Sequence, residues 1–291
     1  MMMFDSIANV FSLSLAFTLI GLNVYLSTKV LNVIDFTCDA SVTLGGCAYG
    51  ALVLYGVNPL VAILISMCLG LLAGFVTSSF ITNIGVEPVL ASIITLTAAQ
   101  TFILKLSSFE SVTSSKNGTQ SALSTLSAID SFVITLVIVF VICILFFKIL
   151  NSEYGLAIRV HGNGRIISES LGINTNRVLS IGLGLGNALS AIAGALIAQI
   201  SGIFNAGMGN GSLVFGLAAV IIGERMVSFK TVKGSVMGCF LGAFIYKAVM
   251  ETATFGELNS IGSEYNGIIM VLVLIFLMAL IHDNQKRAIK Y

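Results

Sequence analysis

Two contrasting segments meet in the stretch VHGNGRIISESLGINTNRVLSIGLGLGNALSAIAGALIAQISG, residues 160–202. The first part is polar and carries Arg165, Glu169 and Arg177. The part that follows has no charged residue, is rich in Gly, Ala and Leu, and exceeds the roughly 20 residues that a helix needs to cross a bilayer. The stretch therefore predicts a transmembrane helix that is entered from a compact polar segment.

The composition extends this prediction to the whole chain. Of its 291 residues, 57% are hydrophobic and only 9% are charged, whereas soluble domains average about 25% charged residues. A soluble domain could not bury so much apolar surface. The sequence therefore predicts an all-α polytopic membrane protein, organised as a single transmembrane domain over residues 1–291.

The apolar runs predict about nine transmembrane segments, in a range of about eight to ten. They lie near 8–27, 41–57, 60–80, 89–106, 132–148, 178–203, 212–224, 234–250 and 266–282. The runs at 41–57 and 212–224 are short, and we expect broken or half-helices there, each preceded by unwound backbone.

Lys and Arg residues in short loops predict the orientation, because they accumulate on the cytoplasmic side. If the polar segment at 160–177 is cytoplasmic, eleven of the fourteen Lys and Arg residues fall on that side. The expected topology has the N-terminus outside and the C-terminus in the cytoplasm.

Small residues recur at four-residue spacing in three of the predicted spans. This spacing puts them on one helix face, where two helix backbones can approach closely in lipid. The candidate packing residues are Gly70, Gly74, Gly182, Gly186, Gly194, Gly234, Gly238 and Gly242.

The same order of features occurs twice along the chain. A short Gly-containing segment precedes a small-residue span at 39–54 and again at 210–223. Five spans separate the matching elements, so the two copies should cross the membrane in opposite directions, as in transporters with inverted repeats. We expect repeat 1 at about 8–106, a linking span at 132–148, a cytoplasmic loop at 149–177 and repeat 2 at about 178–282.

Polar residues inside the predicted spans are candidates for a translocation path, because such groups are costly in a membrane. The candidates are Asp39, Thr97, Gln100, Asn187, Gln199, Asn210 and Ser212. The same residues could instead serve structure: Asp39 as the N-cap of its own helix and the others as hydrogen-bonding links between helices.

The polar segment predicts a short helix from Gly164 to Leu171, capped by Asn163 and ended by Gly172 in the left-handed conformation. Asn174 or Thr175 should cap the following span. This helix is too short to bury its own apolar edge of Ile166, Ile167 and Leu171. We expect the edge to contact either the membrane surface or another protein.

Residues 155–202 resemble the cytoplasmic loop and following span of ABC-importer permeases of the branched-chain amino acid and ribose class. The pattern of that family is matched by Gly155, Ala157, Arg159, Gly162, Leu171, Gly172, Ile173, Asn174, Ala193, Gly194, Ala195 and Leu196. The stretches LNVIDFTCDASVTLGGCAYGALV and GMGNGSLVFGLAAVIIGE look closer still to the compact tryptophan/tyrosine-type permeases.

This resemblance implies that the short helix is a coupling helix, which docks into a groove on a separate ATPase subunit. The residues it would include are Gly164, Arg165, Ile166, Ile167, Ser168, Glu169, Ser170, Leu171 and Gly172. Many relatives have an Ala-rich stretch where this chain has RIISES, so the individual contacts should differ. The ATPase would bind ATP and Mg, and this chain would carry no cofactor.

The resemblance also implies further partners and a location. An extracytoplasmic substrate-binding lipoprotein would deliver a small solute, which could be an aromatic amino acid. Two copies of the permease, or alternatively this permease and a second, paired one, would associate in the plasma (inner) membrane of a prokaryote.

Sequence motifs of other functions are missing. No G-x-x-x-x-G-K-[ST], H-E-x-x-H or G-x-S-x-G occurs, and these would mark a phosphate-binding loop, a zinc protease and a serine hydrolase. No basic block suggests nucleic-acid binding. The sequence predicts a transporter and not an enzyme. The alternative to an ABC permease is an ion-coupled secondary transporter, for which Asp39 is the candidate intramembrane carboxylate.

Overall fold

The computed structural model describes residues 2–117, 128–162, 164–227 and 231–255. In these residues the secondary structure is helical throughout, which confirms an all-α protein. The helices are α1 Met2–Tyr25, α2 Thr37–Leu54, α3 Pro59–Ser79, α4 Pro88–Asn117, α5 Ala128–Asn151, α6 Glu153–Gly162, α7 Arg165–Ser170, α8 Thr175–Ser201, α9 Ser212–Met226 and α10 Val232–Phe255. A π-helical turn closes α1 at Leu26–Val30, and another closes α3 at Phe80–Ile84.

Six of the described helices are long and apolar enough to cross a membrane. They occupy Val10–Val30, Thr37–Leu54, Pro59–Ile84, Pro88–Ser107, Phe132–Asn151 and Thr175–Ser201, which agrees with the first six predicted spans. The predicted spans at 212–224 and 234–250 are helical as α9 and α10, and α9 has only 15 residues. The predicted span at 266–282 lies outside the described residues.

Several predicted boundaries are wrong by a turn or more. Helix α2 begins at Thr37 and not near 41, because the Asp35 side chain accepts the Thr37 N–H at 2.9 Å and so starts the helix earlier. Helix α4 continues to Asn117, ten residues beyond the end of its apolar run at Ser107. The loop predicted at 149–177 contains a second helix, α6, which the sequence analysis did not anticipate.

Helix α8 is the centre of one helix cluster and packs against α2 and α3. It runs parallel to α2, since Cys38 meets Ser190 while Val42 meets Gly194. It runs antiparallel to α3, where Gly74 lies against the Leu183 backbone and Gly70, one turn earlier, lies further along α8. Most of α8 is buried between these neighbours.

Helices α1, α9 and α10 form a second cluster of the same kind. A Cβ at Gly242 of α10 would overlap the Ala219 carbonyl of α9, and a Cβ at Gly216 of α9 would overlap the Val24 side chain of α1. The backbones therefore approach closely here as well.

The first helix of each half of the chain packs in the cluster formed by the other half. Helix α1 packs on α9 and α10, while α8 packs on α2 and α3. Helices α1 and α8 also contact each other and run antiparallel, because Asn23 bonds to Ser190 whereas Leu31, just after the π-helical turn that closes α1, lies against Gly182. Each half of the chain thus contributes its first helix to the other cluster.

The connection 202–211 turns back into the bundle after α8 and follows α2 toward its start. Along this path Phe204 lies against Gly50, the Gly209 N–H donates to Thr43 Oγ1 at 3.1 Å, and the Gly211 N–H reaches Asp39. Helix α9 therefore begins inside the bundle and is short, as predicted for this half-helix preceded by unwound backbone. Such backbone is tolerated at membrane depth only where protein or water covers it. The half-helix expected at 41–57 is wrong, because α2 has 18 residues and is long enough to cross a membrane.

Candidate functional site

The starts of α2 and α9 meet beside the middle of α8. Cys38, in the first turn of α2, lies 3.3 Å from Ser190 through its Sγ and the serine Oγ. The next residue, Asp39, contacts the first residues of α9. Two helix N-termini, each with partial positive charge, therefore converge inside the bundle.

The Asp39 carboxylate caps α9. Its Oδ2 accepts the Gly211 N–H at 3.1 Å and its Oδ1 accepts the Leu213 N–H at 2.7 Å. Asp39 therefore does not cap its own helix, as one reading of the sequence had it, since it is the third residue of α2, whose N-cap position is Phe36 and whose Thr37 N–H is accepted by Asp35. The amide donors at the start of α9 are occupied by a side chain from the other half of the chain.

Asp35 is the most buried carboxylate of the described residues, with 2% of its surface exposed. Its Oδ1 accepts the Thr37 N–H, and its Oδ2 accepts from Asn187 Nδ2 at 2.7 Å. Asn187 is fully buried and accepts in turn from Ser41 Oγ at 2.7 Å. This chain of hydrogen bonds fastens the connection 31–36 to α8 and α2.

Two further links complete a buried polar cluster. Asn23 Nδ2 of α1 donates to Ser190 Oγ at 2.6 Å, and the hydroxyls of Thr37 and Thr77 lie 2.8 Å apart, joining α2 to α3. We call Asn23, Asp35, Thr37, Ser41, Thr77, Asn187 and Ser190 the central polar cluster. It joins four helices where an unpaired polar group would be costly.

The structure brings only some of the predicted path residues to this region. Asp39, Asn187 and Ser212 lie at or beside the central polar cluster, and Ser212 is buried. Gln199 is also buried, further along α8, and its Oε1 has no hydrogen-bond partner. The remaining candidates lie elsewhere: Thr97 and Asn210 are exposed and Gln100 is half-buried.

Most of the predicted packing glycines lie in close contact with a neighbouring helix or connection, some against its backbone and others, Gly182 and Gly186, against a side chain. Added Cβ atoms would overlap Ala191 from Gly70, Leu183 from Gly74, Asn23 from Gly186, Val42 from Gly194 and Ala219 from Gly242. At Gly182 a Cβ would come within 2.7 Å of the Leu31 side chain. Gly238 lies against Gly223, while the Gly234 N–H donates to Thr231 Oγ1 at 3.1 Å.

A second candidate region is the helix pair α6–α7. Helix α7 runs from Arg165 to Ser170, shorter than the predicted Gly164–Leu171. Gly172 has a positive φ of 74° and Asn174 accepts the Arg177 N–H, so the predicted ending of α7 and capping of α8 are confirmed. The predicted cap Asn163 lies outside the described residues.

Helix α7 presents an apolar edge with nothing over it in the described part of this chain. Ile166 is 84% exposed, Ile167 52% and Leu171 65%. Ser168 on the other side is fully buried and donates to the Gly164 carbonyl at 3.1 Å. The helix is thus fixed on one side and open on the other.

Sequence reasoning missed Asp35, Asn23, Ser41 and Ser190. A signal for Asp35 was present, because an Asp two residues before Thr37 fits a helix cap. Nothing local marks the other three, since their partners lie at least 146 residues away along the chain.

A family described as branched-chain amino acid transport system / permease component matches residues 6–278. The chain belongs to this family. The resemblance found in residues 155–202 is therefore confirmed: this is a permease of the ABC-importer class, a transport family and not a class of enzymes.

The permease is similar to curated proteins along most of its length. It is 27% identical over 278 residues to the tyrosine transport system permease protein of Clostridioides difficile (strain R20291), covering 94% of this chain and 90% of that protein. It is 26% identical to an autoinducer 2 import system permease protein of Salmonella typhimurium (84% and 75% covered). It is 23% identical to a fructose import permease protein of Bifidobacterium longum (88% and 74% covered). No solved structure matches.

Proposed function

We propose that this permease moves a small solute, an amino acid and in particular an aromatic one, into the cell, driven by ATP hydrolysis on a separate subunit. The observation that carries the proposal is the exposed apolar edge of α7, on a polar segment between two long helices. Ile166 and Ile167 would gain by leaving water, and a groove on an ATPase subunit offers that burial.

The proposed transport mechanism is alternating access between two inverted halves. The antiparallel contact of α1 with α8 and the exchange of these helices between clusters support a repeat over about 8–106 and 178–282. About nine spans, with the N-terminus outside, fit the distribution of basic residues. Rocking of one half against the other would turn about the central polar cluster, where the halves are joined.

We propose two parts for the translocation path. Asp39, Asn187 and Ser212 lie where the starts of α2 and α9 converge, between the halves of one copy. Thr97 and Asn210 are exposed, so they could face a second copy in a permease homodimer. Gln199 is the candidate for a group that pairs only during transport, because its Oε1 has no partner here.

The substrate proposal rests on the names of three relatives and on how much of each chain is covered. One is named for tyrosine transport, another for autoinducer 2 import and a third for fructose import. Of these three, the tyrosine permease covers the largest share of both chains, which favours an amino acid over a sugar. A substrate-binding lipoprotein would deliver it at the prokaryotic inner membrane.

Uptake by cells with and without the gene tests this proposal. Cells that express the whole transport operon should take up labelled tyrosine faster than a deletion strain, and excess phenylalanine should compete where fructose does not. Arsenate, which depletes ATP, should stop uptake. A proton ionophore should leave most of the uptake measured in the first seconds unchanged. Uptake that stops with the ionophore and persists in arsenate would instead identify an ion-coupled transporter.

A further inference from the structure

The π-helical turn Leu26–Val30 lies between the α6–α7 pair and the interior of the bundle. It closes α1 and contacts both α6 and α8. We propose that this turn transmits movement of α7 to α2 and α9, with Gly162 and Lys29 as the positioning residues. The inference rests on the proposed docking of an ATPase on α7 and specifies how that docking would act.

The first link joins α7 to α6. The Gly164 N–H donates to the His161 carbonyl at 3.1 Å, and the buried Ser168 Oγ donates to the Gly164 carbonyl at 3.1 Å. A displacement of α7 by a docked partner would therefore move the end of α6 with it.

The second link fixes the other end of α6. Arg159 Nη2 donates to the Leu150 carbonyl at the end of α5, at 3.1 Å, and a Cβ at Gly155 would overlap the same backbone. Helix α6 is thus held against the α5 backbone at its first turn, through Gly155, and from its last turn only through the long Arg159 side chain. Its end at Gly162 is therefore the less constrained end.

The third link is the contact between Gly162 and the turn. A Cβ at Gly162 would overlap the Val30 carbonyl, so the two backbones touch with no side chain between them. Contact between backbones transmits displacement directly, because neither side has a rotamer that could absorb it.

From Val30 the turn leads in two directions. The Leu31 N–H donates to the Leu26 carbonyl and the Val33 N–H donates to the Ser27 carbonyl at 2.8 Å. The connection 31–36, which contains Asp35, is therefore hydrogen-bonded to the turn. Lys29 Nζ is 2.6 Å from Glu224 Oε2 in the last turn of α9. The turn is therefore linked to α2 through the connection 31–36 and to α9 through the Lys29–Glu224 pair.

The geometry of the turn suits this role. A π-helical turn closes its hydrogen bond over one residue more than an α-helical turn and is frequently found at functional sites. Its only described ion pair is Lys29–Glu224, which is partly exposed at 42% and 43% of the two side chains. Such a pair can break and re-form at small cost.

Hydrogen–deuterium exchange on the permease copurified with its ATPase tests the route, comparing the nucleotide-free complex with the complex trapped by Mg-ATP and vanadate. In the wild type, exchange should change in three segments: 165–172, 26–36 and the end of α9. In Gly162→Ala the change at 165–172 should persist, while the changes at 26–36 and in α9 are lost. Gly21→Ala is the control for adding a methyl group, because its Cβ would meet no atom closer than 3.7 Å.

A second set of variants covers the case in which Gly162→Ala does not fold. In Lys29→Gln the nucleotide-dependent change in deuterium exchange should be lost at the end of α9 and kept at 31–36. The exchanged pair Lys29→Glu with Glu224→Lys should restore the change at the end of α9. These side chains are partly exposed, so the variants should fold.

The outcomes separate the route from the function. A change at 165–172 without any change at 26–36 in the wild type would overturn the route and leave ATPase docking intact. The same holds if Gly162→Ala and Lys29→Gln both respond like the wild type. If no ATPase copurifies, the proposed function fails and the route fails with it.

Discussion

At the scale of single residues, the central feature is a carboxylate inside a membrane protein without a basic partner among the described residues. No ion pair joins Asp35 to a described Lys or Arg side chain. Its oxygens are satisfied by the Thr37 N–H and by Asn187. Hydrogen bonds to a buried charge are worth more than neutral ones, so this pair should matter to stability.

Asn187→Asp should destabilise the permease by about 3 kcal/mol, because it puts a second acceptor against the buried Asp35 carboxylate. Adding Asp35→Asn should recover most of this loss. In the double variant the amide introduced at position 35 could donate to the carboxylate introduced at position 187, which would still accept from Ser41. Thermal denaturation midpoints in a mild detergent would measure both effects.

The exposed Asn176→Asp in the same helix is the control for the change of residue type. If the double variant is as unstable as Asn187→Asp alone, the Asp35–Asn187 hydrogen bond does not have the role described here.

Asp39 allows a separate prediction, because it caps a helix that belongs to the other half of the chain. Asp39→Ala leaves two N–H groups of α9 without acceptors and should cost about 1–2 kcal/mol. Asp39→Asn retains one acceptor oxygen and should cost less. The measurement is denaturant unfolding followed by circular dichroism, with the exposed Glu87→Ala as the control. Equal stability of all three variants would contradict the cap.

At the scale of helices, backbone contact between small residues is the main packing feature. Gly194 of α8 faces the Val42 carbonyl of α2 with no room for a Cβ, and Gly242 of α10 faces Ala219 of α9 in the same way. In lipid, such close contacts replace the hydrophobic effect as the force that joins helices.

Gly194→Ala should therefore destabilise the permease by about 1–3 kcal/mol through overpacking. Gly21→Ala should be neutral or stabilising, since there is space for its methyl group and Ala favours helix. The midpoints of thermal unfolding of the two variants make a matched comparison. A stable Gly194→Ala protein would mean that α8 and α2 can separate freely.

Some helices could be predicted from the sequence and others could not, for a physical reason. The long apolar runs of α1, α3 and α8 were predicted because length and hydropathy determine them. Helix α6 was missed, because Glu153, Arg159 and His161 interrupt any apolar run. Its helix depends instead on the Arg159 contact to α5, which composition does not reveal.

At the scale of the whole molecule, the exchange of α1 and α8 between two clusters is the feature that sequence could only suggest. The spacing of small residues and the order of short segments predicted two related halves. Which helix packs on which is decided by contacts such as Asn23–Ser190 that join distant residues. The central polar cluster could not be predicted for the same reason, although three of the predicted path residues, Asp39, Asn187 and Ser212, lie at or beside it.

The measurement that tests the account most directly is affinity purification of the permease from its native membrane in mild detergent, with mass spectrometry of the bound proteins. We predict a stoichiometric ATPase subunit that is lost with Ile167→Asp and retained with Tyr154→Asp, a comparably exposed residue on α6. Burial of the apolar edge of α7 is the reason for the difference. A permease that purifies alone, or an ATPase that stays bound to Ile167→Asp, would contradict the proposed docking of an ATPase on α7.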